Sequence, residues 1–299
     1  MTSKNFLEIE VYPHAFICPF SRRRIKGFHR LSFASLLVVW ISIVRMPLAA
    51  QIRHDKPGEQ AGTNILLRLD EIKSPGPVSR IEVAYDPVYQ RRKTYLGLPF
   101  EIFLRAQHIR IPDEPGIVVE FRCQDGYCSI IPLALLLREN AFLATADAEA
   151  PEADKWLAIP GLASKSTPGP YYLVWPRNPG DGHLWPYQIT TLQIRPAEVV
   201  LRRAAPASSA RLAKGFELFQ KNCMSCHSIN GVGGTLGVEL NVPQNVFEYW
   251  QPEKLAAYVS NPASFRVHSK MPSFAALGDK NIALILEYVR HMKTRKQKE

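Results

Sequence analysis

Cys223-Met224-Ser225-Cys226-His227 is the stretch on which the reading of this chain turns. Two thiols three positions apart, followed at once by an imidazole, have the spacing of c-type haem attachment. The thiols add to the two vinyl groups on one edge of a porphyrin. The adjacent imidazole then lies under the iron as its proximal ligand. A chance pentapeptide, or a redox Cys-x-x-Cys with a bystander histidine, reads the same way in isolation, so the flanking sequence has to decide.

Upstream, Leu212, Phe216, Phe219 and Cys223 recur at the spacing of one helix face, and Gly215 would let another backbone approach closely. Downstream, Pro252 opens a short helix through Leu255 and Val259 that must stop near Asn261-Pro262. Asp279 is expected to cap a last helix whose apolar face is Ile282, Ile285, Val289 and Met292, with Tyr288 beside it. Between these helices lies Lys270-Met271-Pro272. Iron bound on one side by His227 needs a second axial ligand, and the Met271 thioether can close over the opposite face. His268 is the competing ligand and would give a bis-histidine iron of lower potential. Met224 faces the wrong way for that side, and Met292 reads as core.

In this order of features residues 208–299 resemble a class I c-type cytochrome domain. Gly215-Phe216, the pentapeptide, Gly231 to Gly237, the Asn261-Pro262 helix end, Met271-Pro272 and Tyr288 all fall where the family has them. The resemblance implies an all-α domain with crossing terminal helices. It further implies one covalent haem c on Cys223 and Cys226, with His227 and Met271 as the axial ligands of the iron. Gly237-Val238 stands where the family commonly has Gly-Pro, whose proline carbonyl accepts a hydrogen bond from the proximal imidazole. Val238 still offers a backbone carbonyl.

The rest of the chain reads differently. Residues 196–207, rich in Ala, Arg and Pro, lack apolar periodicity and read as a linker. Before them, residues 51–195 show short β-like runs at Ile65–Leu69, Val78–Tyr85, Ile117–Arg122, Ser129–Pro132, Tyr171–Trp175 and Gln188–Ile194. Phe100–Gln107 and Leu133–Arg138 read as helical, and no internal repeat is visible. The fold class expected is therefore multidomain: an α+β, mostly antiparallel N-terminal domain followed by an all-α cytochrome domain. Cys123 and Cys128 flank a four-residue turn, so they are either cross-strand disulfide partners or two independent half-buried thiols. Trp175, Trp185, Tyr187, Tyr171 and Tyr172 crowd between prolines, as a core with its rim or as a ligand cleft.

Gly97-Leu98-Pro99, Asp125-Gly126-Tyr127, Pro170–Pro176 and Trp185–Ile194 also follow the order of part of a sulfite-oxidase-type molybdopterin domain. That family binds molybdenum through a cysteine upstream of the Gly-Leu-Pro helix, whereas residues 51–122 contain none. The resemblance therefore implies the fold without molybdenum, and molybdopterin is not expected.

With 299 residues the chain has room for about two domains, and 46% hydrophobic with 21% charged residues is an ordinary globular balance. Its 24 prolines against 17 glycines argue against a pure helical bundle. The net charge is +10, but the first 50 residues carry seven basic and two acidic side chains, half of the excess. Nucleic acid is therefore not an expected partner. Residues 22–30 are basic, 31–44 apolar, and 46–50 end in small residues, the layout of a secretory signal and hence of a periplasmic protein. The apolar run is short for a bilayer of about 30 Å, and an uncleaved membrane anchor is the other reading of residues 1–50. Lys293, Arg295, Lys296 and Lys298 form either a solvated end or a guide toward an acidic partner. The function expected is an exported monohaem carrier passing single electrons between a dehydrogenase or oxidase and an acceptor. The alternatives are a molybdenum oxidoreductase with a fused cytochrome, Cys123 displaced into the ligand role, and a gas sensor with a labile Met271.

Overall fold

A computed structural model describes residues 64–151, 153–162, 166–177 and 184–297; the expected signal or anchor lies outside them. Among the described residues no helix is long and apolar enough to cross a membrane. The N-terminal region contains β1 (Ile65–Arg68), β2 (Ser79–Asp86), β3 (Arg91–Pro99), β4 (Ile117–Cys123), β5 (Cys128–Pro132), β6 (Phe142–Asp147), β7 (Tyr172–Val174) and β8 (Ile189–Pro196). They form two antiparallel four-stranded sheets, ordered β1-β8-β4-β5 and β2-β3-β6-β7. Leu67, Val83, Leu98, Val119, Phe121, Leu143, Leu173 and Leu192 from both sheets share one core with Trp175 and Trp185.

Three strands run through a proline straight into a helix. β3 enters α1 (Phe100–Ala106) after Pro99, β5 enters α2 (Leu133–Arg138) after Pro132, and β8 enters α3 (Ala197–Leu201) after Pro196. Each proline holds the extended residue before the first turn, and each is followed at the same distance by Leu-Arg: Leu104-Arg105, Leu137-Arg138 and Leu201-Arg202. The first two helices also end alike. His108 and Asn140 take left-handed backbones, and Ile109 N–H and Ala141 N–H donate to Leu104 O and Leu136 O at 2.9 and 2.8 Å. The chain thus contains an internal repeat of strand, proline and helix, contrary to expectation. α1 and α2 are the helical crossovers from one sheet to the other, between β3 and β4 and between β5 and β6.

β3 and β6 escaped the sequence reading for identifiable reasons. β3 begins Arg91-Arg92-Lys93, yet Lys93 points into the protein and is fully buried. Its ammonium lies 2.6 Å from Asp147 and 3.1 Å from Glu149, over the Tyr89 ring. β6 carries two alanines and an aspartate, residues depleted in strands, which weakens its β signal.

The C-terminal region consists of α4 (Ala210–Asn222), the two-residue strands β9 (Ser228–Ile229) and β10 (Val232–Gly233), α5 (Pro252–Ser260) and α6 (Asp279–Met292). Apart from the two-residue β9–β10 ribbon, this region is helical, as expected. Phe219, Met224, Ile229, Leu255, Ile285, Tyr288, Val289 and Met292 make a second core. Ser209 caps α4, accepting from Leu212 N–H at 3.5 Å. Asp279 is the first residue of α6 rather than its cap, a position occupied by Gly278. The expected linker is also packed: α3 occupies residues 197–201, Ala204 is fully buried, and its carbonyl accepts from Tyr288 Oη at 2.7 Å. Its apolar anchors, Val200 and Ala204, are too few to show a period.

Candidate haem site

Helices α4 and α6 cross where Gly215 meets Leu284: a β-carbon at Gly215 would overlap the Leu284 carbonyl. The aromatic ring of Tyr288 packs against Phe216 and Phe219, with centroids 5.1 and 5.3 Å apart. This crossing fixes the end of α4, and the pentapeptide leaves from it as a helical turn. Cys226 N–H and His227 N–H both donate to Cys223 O, at 3.1 and 2.9 Å. The turn brings both thiols and the imidazole to one short segment, while Met224 turns into the core. Neither thiol is in a disulfide, and burial pushes both up, Cys223 to about 12.

His227 is held by its other nitrogen. Nδ1–H donates to the Val238 carbonyl at 2.8 Å, which fixes the tautomer and leaves Nε2 as the lone-pair nitrogen. The valine therefore supplies the carbonyl that its family counterpart supplies from proline. Gly237 allows this approach, since a β-carbon there would collide with the imidazole ring. Two free thiols on one turn and an imidazole with Nε2 available fit a covalently attached haem. Such a group would be held by Cys223, Cys226 and His227 and would supply one-electron redox chemistry.

The loop carrying Met271 is tied back to α5. Phe274 N–H donates to Val259 O at 3.2 Å and Ser273 Oγ to Ser260 O at 2.6 Å. Met271 is half-buried, whereas His268 is exposed with a left-handed backbone. Met292 is fully buried in the second core. Beneath the site runs a chain of buried amides that the sequence did not announce. Asn241 Nδ2 donates to Asn230 Oδ1 and Asn245 Nδ2 to Asn241 Oδ1, at 2.7 and 2.8 Å. Asn230 reaches the carbonyls of Arg203 and Arg295, so the connector and the basic tail are bound to the same network. Lys296 is ion-paired with Glu248 at 2.8 Å, which removes it from the free tail expected of the sequence.

The candidate disulfide does not form. Cys128 pairs with Arg122, while the turn closes by Cys123 N–H donating to Tyr127 O at 2.9 Å. The two cysteines are therefore offset by one residue, and the pleat sends them to opposite faces. Cys123 joins the N-terminal core, and Cys128 faces the side of Glu120, Arg122 and Arg195. Burial raises both thiols, Cys128 to about 12. Iodoacetamide at pH 8 should label neither in the folded protein and both after denaturation without reductant. Failure to label the denatured chain would restore the disulfide.

Two thiols and a carbonyl-oriented imidazole, on the turn that follows α4, are the groups that a covalent haem requires. Residues 212–293 match the family model of cytochrome c, which supports a c-type cytochrome domain in the C-terminal part of the chain and, with it, covalently bound haem c. A comparison with curated proteins finds no match. The family match is confined to that part of the chain, and nothing in the comparisons supports the molybdopterin-like resemblance of residues 51–195.

Proposed function

We propose that the protein is an exported monohaem cytochrome that passes single electrons between a periplasmic redox enzyme, a dehydrogenase or an oxidase, and an acceptor. One haem c is carried on Cys223 and Cys226, with His227 and Met271 as axial ligands. The observation that carries this reading is the 2.8 Å bond from His227 Nδ1 to the Val238 carbonyl beside two free thiols. It orients Nε2 as a ligand, for which a bystander histidine has no need. Cys223, Cys226, His227 and Met271 would hold the haem, which would supply one-electron redox chemistry there.

The test is maturation in a host that attaches c-type haem, followed by acid–acetone extraction and metal analysis. The chromophore should stay with the polypeptide at one iron per chain, and Cys223→Ser with Cys226→Ser should release it. Extractable colour, or stoichiometric molybdenum, would defeat the proposal.

A further inference from the structure

The β4–β5 turn, Gln124–Tyr127, is fastened to the haem-attachment segment. Cys128 N–H donates to Ser225 O at 2.8 Å, and Thr235 N–H donates to Gly126 O at 2.7 Å. The Tyr127 phenol is hydrogen-bonded with the Ser225 side chain, and Ile130 packs against the C-terminal core. The sheet domain therefore holds the pentapeptide directly, from the side of Cys226.

Beside this junction lies a cleft of about 340 Å³. Tyr127, Trp185 and Tyr187 form its aromatic walls, Asp125 and Leu236 stand on its rim, and Cys226 contributes to the lining. Its volume lies at the lower end of the range for small-molecule sites, room for one ring system and too little for a protein face. Among the described residues no lysine, arginine or histidine lines it, and Asp125 places a carboxylate there, which disfavours an anionic ligand. Flat aromatic walls favour a planar ring, and an exposed carboxylate favours a hydroxyl that can donate to it. Tyr187 is half-buried and its phenol is shifted upward by burial and then by Asp125, so it stays neutral and able to hydrogen-bond.

We propose that this cleft is a binding site for a small, neutral, hydroxylated aromatic molecule of the phenol or hydroquinone class, seated against Cys226. The ligand's role as an electron donor or acceptor rests on the carrier reading above; its binding does not. Trp185 is anchored in the N-terminal core, and the two backbone hydrogen bonds fix the opposite wall, so the walls are preorganised.

Isothermal titration of the full-length, haem-loaded oxidised protein with resorcinol, an isomer resistant to oxidation, tests binding without electron transfer. One saturable site per chain is expected. Leu236→Trp, which fills the cleft from its rim, should weaken binding at least tenfold while covalent haem content and Tm stay unchanged. Asp125→Asn, which keeps an oxygen for the Tyr127 N–H, should weaken it several-fold. Unsaturable heat in the native protein, or native-like affinity in Leu236→Trp, overturns the proposal; the first result also covers a cleft filled by the haem's own edge. Loss of colour on acid–acetone extraction would instead strike the carrier reading, whereas the heat of resorcinol binding bears on the cleft alone.

Discussion

Replacing Met271 with alanine is expected to abolish the sulfur-to-iron charge-transfer absorption of the oxidised protein and to lower its midpoint potential. A thioether stabilises the ferrous state relative to a harder ligand or water. The shift should be on the order of 0.1–0.3 V, inside the roughly 0.8 V that axial ligands span. Carbon monoxide should bind the reduced variant at neutral pH and leave the parent protein unchanged. Ser273 and Phe274 tie the loop to α5 through a side chain and an amide that the substitution does not touch, so the domain should stay folded. His268→Ala should change neither absorption nor potential. A parent spectrum that already lacks the band, and gains it in no variant, would move the ligand to His268 or leave the position open, as a sensor requires.

The second large effect lies far from the haem segment. Lys93→Met should destabilise the N-terminal domain by about 3–5 kcal/mol, because it strands Asp147 as a buried carboxylate without its cation. Lys93→Met with Asp147→Leu should recover most of the loss, since two apolar groups of similar volume leave no charge behind. Glu149 adds a pH signature. Burial alone would raise its carboxyl, but hydrogen bonds from Arg91, Lys93 and the Thr94 N–H outweigh this and hold it below the usual carboxylate range. Its stabilisation is therefore complete above that range and is lost as pH falls through the depressed value. The deficit of Lys93→Met should shrink in acid, because Glu149, without the lysine that helps to hold it below the usual range, takes up a proton earlier in the variant and sheds the charge that the lysine had balanced. Urea titrations at pH 7 and pH 4 measure both; an equal deficit at the two pH values would mean that the lysine acts through packing alone.

The pentapeptide, the faces of α4 and α6, and the stop of α5 were legible because each is local: a spacing, a period, a proline. Val238 was legible only through its neighbours, since a backbone carbonyl leaves no mark in a side-chain sequence. The Asn230–Asn241–Asn245 chain was invisible because a buried asparagine and a loop asparagine are written with the same letter. The disulfide expectation failed on one residue of register, which the two-residue period of a strand turns into opposite faces. The repeat of proline followed by Leu-Arg could have been found by comparing residues 98–109 with 131–142, but differing hydrophobic identities at each turn conceal it. Trp185 and Tyr187 read in the sequence as aromatics between prolines. That they border Cys226 is a product of tertiary packing, which no local pattern records.

Ala204, clasped by Tyr288, and α3, continuous with β8, give this protein no swinging arm. Electrons moving between a molecule in the sheet domain and the C-terminal segment would face a fixed gap instead of waiting on a tethered search. Solvent viscosity should then leave that internal step unaffected, and lengthening residues 202–208 would cost folding free energy before it altered any encounter frequency.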